Sequence, residues 1–296
     1  MKHVSTAEKW AWILVASAAP AAHFLSGTTW YLVPAGTLVA WLFWAYSPPA
    51  QGKILSLLGV AAAGLMLCRS VSCMTDGWQD FGAGPVMPLT ILALAVWACW
   101  RQDGRSRRVC CTLFWLVTPL LAVVLAAGIK EIHWDRFMRP EIRWDADGIW
   151  VLLLPCLWAG EEHGRRWKGW ALGLTILCTA LAAVTWGCLG PEGSFYDLAG
   201  SLNLFGVVQR FEPVVAAALT MGWFCFACYL MTAAAERWKA CFPKTPAGII
   251  PLVLAAAAAV VLPLNLSVSS WLVSVTSGIL ALGTLLCRKK QKEKDF

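Results

Sequence analysis

A chain of 296 residues would ordinarily make about two soluble domains. With 59% hydrophobic and 14% charged residues and a mean hydropathy of +0.63, it has too little polar surface to wet them. The same figures exclude disorder, twelve Cys fall short of a disulfide scaffold, and the net charge of +7 forms no basic stripe interleaved with aromatics for a nucleic acid. The composition is that of a polytopic membrane protein.

A membrane-crossing helix needs about 20 mostly apolar residues. The first such segment is 10–26, preceded by Ser5-Thr6-Ala7-Glu8, which resembles a capping box. Lys2, Lys9 and the small residues Ala16-Ser17-Ala18 also allow a cleaved signal peptide, but losing this segment would break the alternation of charge described below. Its middle carries Ser17-Ala18-Ala19-Pro20, where a missing backbone donor and small side chains predict a broken or kinked helix. Segments 29–46 and 53–74 follow. Arg69 falls about 24 Å along a helix from Lys53, near the outer end of the third segment, where snorkelling to the interface is expected. Segments 85–100 and 109–129 complete the first half, and a polar loop over 130–147 separates it from the second.

The sixth segment, 148–160, is too short to cross alone, so its helix either runs on into the charged stretch or is broken at Pro155 and Gly160. Glu161, Glu162 and His163 form the densest titratable cluster beside it. They suit either a proton relay or, with Arg165, Arg166 and Lys168, an ion-paired cytoplasmic turn. Segment 168–189 opens with Gly169 and Gly173 in a small-xxx-small pattern. The polar stretch 192–211 leads to segment 212–235, where Glu212 and Pro213 suit a helix start. Within that segment Cys225 and Tyr229 are one turn apart and share a face, with Thr220 nearby. Plain helix packing is one reading of this face. Cys225 and Cys228 lie in an apolar helix without a second Cys pair at metal spacing, so they read as buried thiols. Segments 247–264 and 268–287 and a basic tail, 288–296, end the chain.

Ten segments with both ends cytoplasmic put eighteen of the 24 Lys and Arg residues on the inner side. The other six are Arg69, Lys130, Arg136, Arg139, Arg143 and Arg210. A single integral membrane domain, 1–296, is expected, all-α with ten transmembrane helices. Its first repeat covers about 8–129 and its second about 148–287. Five spans repeated in one chain must be inverted, the 5+5 arrangement of transporters whose first helix in each half is discontinuous. Unwound backbone at membrane depth belongs only where it is buried in protein or lines a cavity. The predicted ligand site therefore lies around Ser17, Ala18, Ala19 and Pro20 and around Pro155 and Gly160. A simple proline kink without a ligand is the alternative for each segment.

From about residue 84 onward the chain resembles the GerAB-type spore germination permeases. The likeness rests on Gly84-Pro85-Val86-Met87-Pro88, on Ile132-His133-Trp134-Asp135-Arg136-Phe137-Met138-Arg139-Pro140, and on Val208-Gln209-Arg210-Phe211-Glu212-Pro213 leading into a helix that runs through Trp223 and Tyr229. The family belongs to the amino acid–polyamine–organocation superfamily of ten-span 5+5 folds. In place of the family's Gly-x-Gly break the first segment has Ala18-Ala19-Pro20.

What the resemblance implies is a membrane-embedded B subunit of a nutrient germinant receptor in the spore inner membrane. It would bind a small nutrient such as an amino acid and signal to partner A and C subunits, and the resemblance puts Thr220, Cys225 and Tyr229 on the wall of the ligand cavity, with plain helix packing an equal alternative. The stretch 192–211 would form an outer lid held by Arg210 and Glu212, for which a capping ion pair is the simpler alternative. A secondary amino-acid transporter of the same superfamily, or a scaffold without ligand, are the competing functions. No nucleophile elbow, phosphate loop or metal-ligand spacing occurs, so neither an enzyme, a cofactor nor a metal is expected.

Overall fold

Each of the ten apolar segments carries a helix. The computed structural model describes residues 6–25, 30–45, 52–74, 84, 86–101, 104–138, 146–157, 167–191, 193–201, 212–246, 248–264 and 268–292. Among them no strand occurs. The first half contains α1 (Thr6–Phe24), α2 (Leu32–Ala45), α3 (Lys53–Ser70), α4 (Val86–Cys99) and α5 (Arg105–Gly128). A short α6 (Asp135–Met138) and a 3₁₀ helix (Ala146–Leu157) follow. The second half continues with α7 (Trp167–Leu189), a short α8 (Phe195–Ser201), α9 (Glu212–Cys241), α10 (Ile249–Val261) and α11 (Ser270–Lys292). Four stretches are long and apolar enough to cross a membrane: Lys53–Ser70, Arg105–Glu131, Trp167–Leu189 and Glu212–Cys241.

Local chemistry explains where several helices begin and end. α5 starts after Gly104, whose φ of 79° suits a residue without Cβ. α7 stops at Gly190, at φ 84°, whose N–H returns to the Trp186 carbonyl at 2.9 Å. The Arg136 guanidinium, carried by α6, donates to the carbonyls of Gly187 and Cys188 at the same terminus. In α8 the Ser194 hydroxyl accepts from Asp197 N–H while Asp197 carboxylate accepts from Ser194 N–H, a reciprocal cap with Asp in the usual Glu place.

α9 is the hub, packed against α1, α3, α4, α5, α10 and the 3₁₀ helix. Its thirty residues are buried on nearly every side, and small ones recur: Ala216, Ala218, Gly222, Cys225, Ala227, Cys228, Ala233, Ala234. Without bulky side chains in the way, neighbours approach closely. One close crossing is with α1, where a Cβ added at Gly222 would stand 2.9 Å from that of Ala19. By contrast, Gly169 faces open space and Gly173 comes no nearer than 4.0 Å to Leu14, so the small-xxx-small pattern on α7 makes no close crossing. Large apolar side chains such as Trp97, Trp115 and Trp271 point outward from α4, α5 and α11.

Two expectations are corrected. α1 is not broken at Ser17–Pro20; it stays helical through Pro20, and the Leu25 N–H still bonds the Ala21 carbonyl at 3.0 Å. Proline here removes one donor near the last turn, and close packing on α9 holds the remaining turns. Through Leu157 the sixth segment is neither α-helical nor unwound at Pro155 but wound as a 3₁₀ helix from Ala146; the run-on into the charged stretch and the break at Gly160 lie outside the described residues. Arg69 is part-buried in the last turn of α3, where its Nε donates to Ser270 Oγ at 3.4 Å and its guanidinium lies 5.2 Å from the centre of the Phe24 ring.

Candidate functional site: a 3₁₀ helix held by side chains

Twelve residues are an uncommon length for a 3₁₀ helix, whose hydrogen bonds are poorer than those of an α-helix. At about 2.0 Å per residue it reaches about 24 Å, against about 18 Å for the same residues in α geometry. Overwinding thus lets a short apolar segment cover most of a bilayer's depth. The strain must be offset, and side chains of α2 and α9 do so.

In a 3₁₀ helix the Leu152 carbonyl would accept from the N–H of residue 155. That residue is Pro155, which has none. The indole Nε1 of Trp44 on α2 donates to the Leu152 carbonyl instead, at 2.7 Å. Two residues on, the Tyr229 hydroxyl donates to the Leu154 carbonyl at 2.6 Å. At the C-terminal end Arg237 Nη2 donates to the Cys156 carbonyl and Nε to the Leu157 carbonyl, both at 2.8 Å. Arg237 is 1% exposed. Gly59 of α3 makes room for it, since a Cβ there would lie 2.7 Å from Arg237 Nε and 2.8 Å from Nη1.

The same region gathers most of the sequence-predicted site. Pro155, Ser17, Ala18, Ala19, Pro20, Cys225 and Tyr229 are all buried, on the 3₁₀ helix, α1 and α9. Trp12 of α1 joins them: its Nε1 donates to the Cys225 carbonyl at 3.3 Å, and its ring meets that of Tyr229 edge-on at 5.8 Å. The Ser17 hydroxyl bonds back to the Ile13 carbonyl at 2.7 Å and that of Thr220 to the Ala216 carbonyl at 2.7 Å. Here α1 and α9 are packed against each other rather than parted by a cavity. Glu212, at the first position of α9, sets its carboxylate against Gly200 of α8. Arg210, Gly160, Glu161, Glu162 and His163 lie outside the described residues.

Sequence reasoning missed Trp44 and Arg237 as partners of the sixth segment. Arg237 was legible: residues 225, 229, 233 and 237 recur every four positions and form one stripe of α9. Trp44 had no such signal, because only tertiary packing brings α2 to Leu152.

A concavity of about 650 Å³ lies between Asp135, Arg136 and Met138 and the end of α7 at Trp186, Leu189 and Gly190. The Cys99 thiol lies 3.6 Å from the Cys228 carbonyl and 3.5 Å from Thr232 Oγ1. Among the described residues no group of three or more His, Cys, Asp or Glu is placed to hold a metal ion. Comparison with protein-family models, with curated proteins and with solved structures returns no match.

Proposed function

We propose that the chain is a ten-span integral membrane protein with both termini cytoplasmic and two inverted five-helix halves. In this reading it acts as the membrane-embedded B subunit of a nutrient germinant receptor. A small nutrient, an amino acid by resemblance, would bind between α1, the Pro155 segment, α3 and α9, against Ser17, Ala18, Ala19, Pro20, Pro155, Gly160, Thr220, Cys225 and Tyr229. Binding would shift a conformational equilibrium and pass to A and C subunits, with Arg210 and Glu212 at the outer lid. Such a shift requires different affinity for the two states.

The observation that carries the reading is the sixth segment. Its non-α backbone has carbonyls met by side chains of α2 and α9, as is expected where irregular backbone is enclosed by protein at membrane depth. The correspondence of ten apolar segments with ten helices supports the span count. The closed crossing of Ala19 on Gly222 favours, as a second reading, a family member that scaffolds its partners without ligand.

Paired binding and uptake of labelled amino acids in proteoliposomes, with and without a proton or sodium gradient, test these functions. Saturable binding without accumulation is expected. Gradient-driven accumulation would make the protein a transporter, and no binding across the panel would favour the scaffold.

A further inference from the structure

Four free cysteines meet where α4, α5 and α9 pack together: Cys99, Cys110, Cys225 and Cys228, none more than 1% exposed. The Cys110 thiol of α5 is hydrogen-bonded to the thiols of Cys225 and Cys228 and to the Trp12 indole. Cys99 of α4 bonds in turn to the Cys228 thiol and to Thr232 Oγ1, the latter at 3.5 Å. Cys225 and Cys228 stand three residues apart and share a face of α9, so both are turned to the same thiol of α5. We propose that this cluster is an oxidation site, where a hydroperoxide joins Cys110 to Cys225 or Cys228 in a disulfide that staples α5 to the hub helix.

Close packing alone does not call for sulfur here. Elsewhere α9 meets its neighbours with Ala218, Gly222, Ala227 and Ala234. Cys178 of α7 is equally buried, yet among the described residues no thiol bonds to it. Sulfur against sulfur from separate helices is what a disulfide needs, since thiols already in hydrogen-bond contact have only to close to about 2.05 Å. Among the described residues no three such groups converge on one ion, so the contacts offer pairwise bonding rather than metal coordination. Cys110 lies roughly 8 Å along α5 from Arg105, near the charged end of the helix, and Cys111 beside it is part-buried. A neutral peroxide reaches that depth without carrying a charge. The Cys110 sulfur attacks the O–O bond and becomes a sulfenic acid as water or an alcohol leaves. A thiol of α9 then attacks that sulfur, the S–S bond forms and water leaves. The two thiols give up two protons and two electrons, which the peroxide takes. In the proposed topology this end of α5 is cytoplasmic, where disulfides are transient and redox-sensing. The cross-link itself rests on the thiol contacts and holds whether or not a nutrient binds.

The test treats the reduced full-length protein in detergent with hydrogen peroxide, then denatures it, alkylates the remaining thiols and maps the peptides by mass spectrometry. The peptide carrying Cys110 should be recovered joined to the α9 peptide carrying Cys225 and Cys228, and dithiothreitol should separate them. At the same dose Cys178 should stay alkylatable, and the oxidised chain should run as a monomer on a non-reducing gel. Cys110 recovered alkylated, or bonded to any cysteine other than these two or to a second chain, overturns the proposal. Cys110→Ser supplies the second arm. Its Cys225 and Cys228 should remain alkylatable at a dose that cross-links wild type, and their loss at the wild-type rate would show that Cys110 is not the centre of the reaction.

Discussion

The indole N–H of Trp44 occupies the hydrogen-bonding position that Pro155 leaves open, on the Leu152 carbonyl at 2.7 Å. A proline inside a 3₁₀ helix and a tryptophan 111 positions earlier in sequence thus act as one unit. The ring of Trp44 is itself fixed, edge-on to Trp10 of α1 at 6.1 Å, so three helical elements meet at one donor.

Trp44→Phe keeps an aromatic ring but removes the indole donor and part of its volume. The buried acceptor left unmet costs about 1–3 kcal/mol, and the void left at this fully buried position adds to it. Pro155→Ala restores a backbone N–H in the helix, so the cost of Trp44→Phe should shrink in that background, with a coupling energy of about 0.5–3 kcal/mol. Denaturant melts of the four proteins measure the cycle. Equal costs in both backgrounds would show that the two residues are not coupled.

Tyr229 has its hydroxyl committed to the Leu154 carbonyl at 2.6 Å. Tyr229→Phe leaves the edge contact with Trp12 in place and removes only this bond. A loss of about 1 kcal/mol is expected. Because the bond restrains the 3₁₀ helix, amide exchange across residues 150–157 should speed up more than exchange in α7 or α10. Uniform acceleration along the chain would contradict this assignment.

The α1–α9 crossing depends on the absence of a side chain at Gly222. Gly222→Ala drives a methyl group to 2.9 Å from the Ala19 Cβ, an overpacking that costs about 1–3 kcal/mol. Ala19→Gly in the same molecule should return part of it. Gly169→Ala points into open space and gains helix propensity, so it should be neutral or stabilising by up to about 1 kcal/mol. Parallel melts of these variants separate a packing glycine from an incidental one.

The apolar runs disclosed where helices lie, because a chain with this composition has few other ways to satisfy its backbone. Two short helices sit in the polar stretches between apolar segments, α6 within 130–147 and α8 within 192–211. Helix pitch was not legible. Pro155 marked a lost donor, but whether the segment unwinds, kinks or overwinds depends on Trp44, Tyr229 and Arg237 arriving from α2 and α9. Pro20 illustrates the converse: the same residue type leaves α1 continuous because it falls near the last turn and the helix packs tightly on α9. Arg237 counted only as one more basic residue near the inner face until packing showed it to be fully buried.

Lys9, just before the first apolar segment, lies part-buried near Glu236 and Arg107. Burial pushes its ammonium below the ordinary value of 10.5; Glu236 draws it back up and Arg107 pushes it further down. Between the folded and unfolded values the native state binds fewer protons than the unfolded chain, so stability rises with pH through that window. The penalty is fully present below the folded value and fades as pH approaches 10.5. Lys9→Met removes it. The variant should therefore be the more stable protein at about pH 7, with the gap closing as pH climbs toward 10.5. Melting temperatures of both proteins across that range test the sign, and a gap that widens with pH would mean that attraction to Glu236, not burial, governs Lys9.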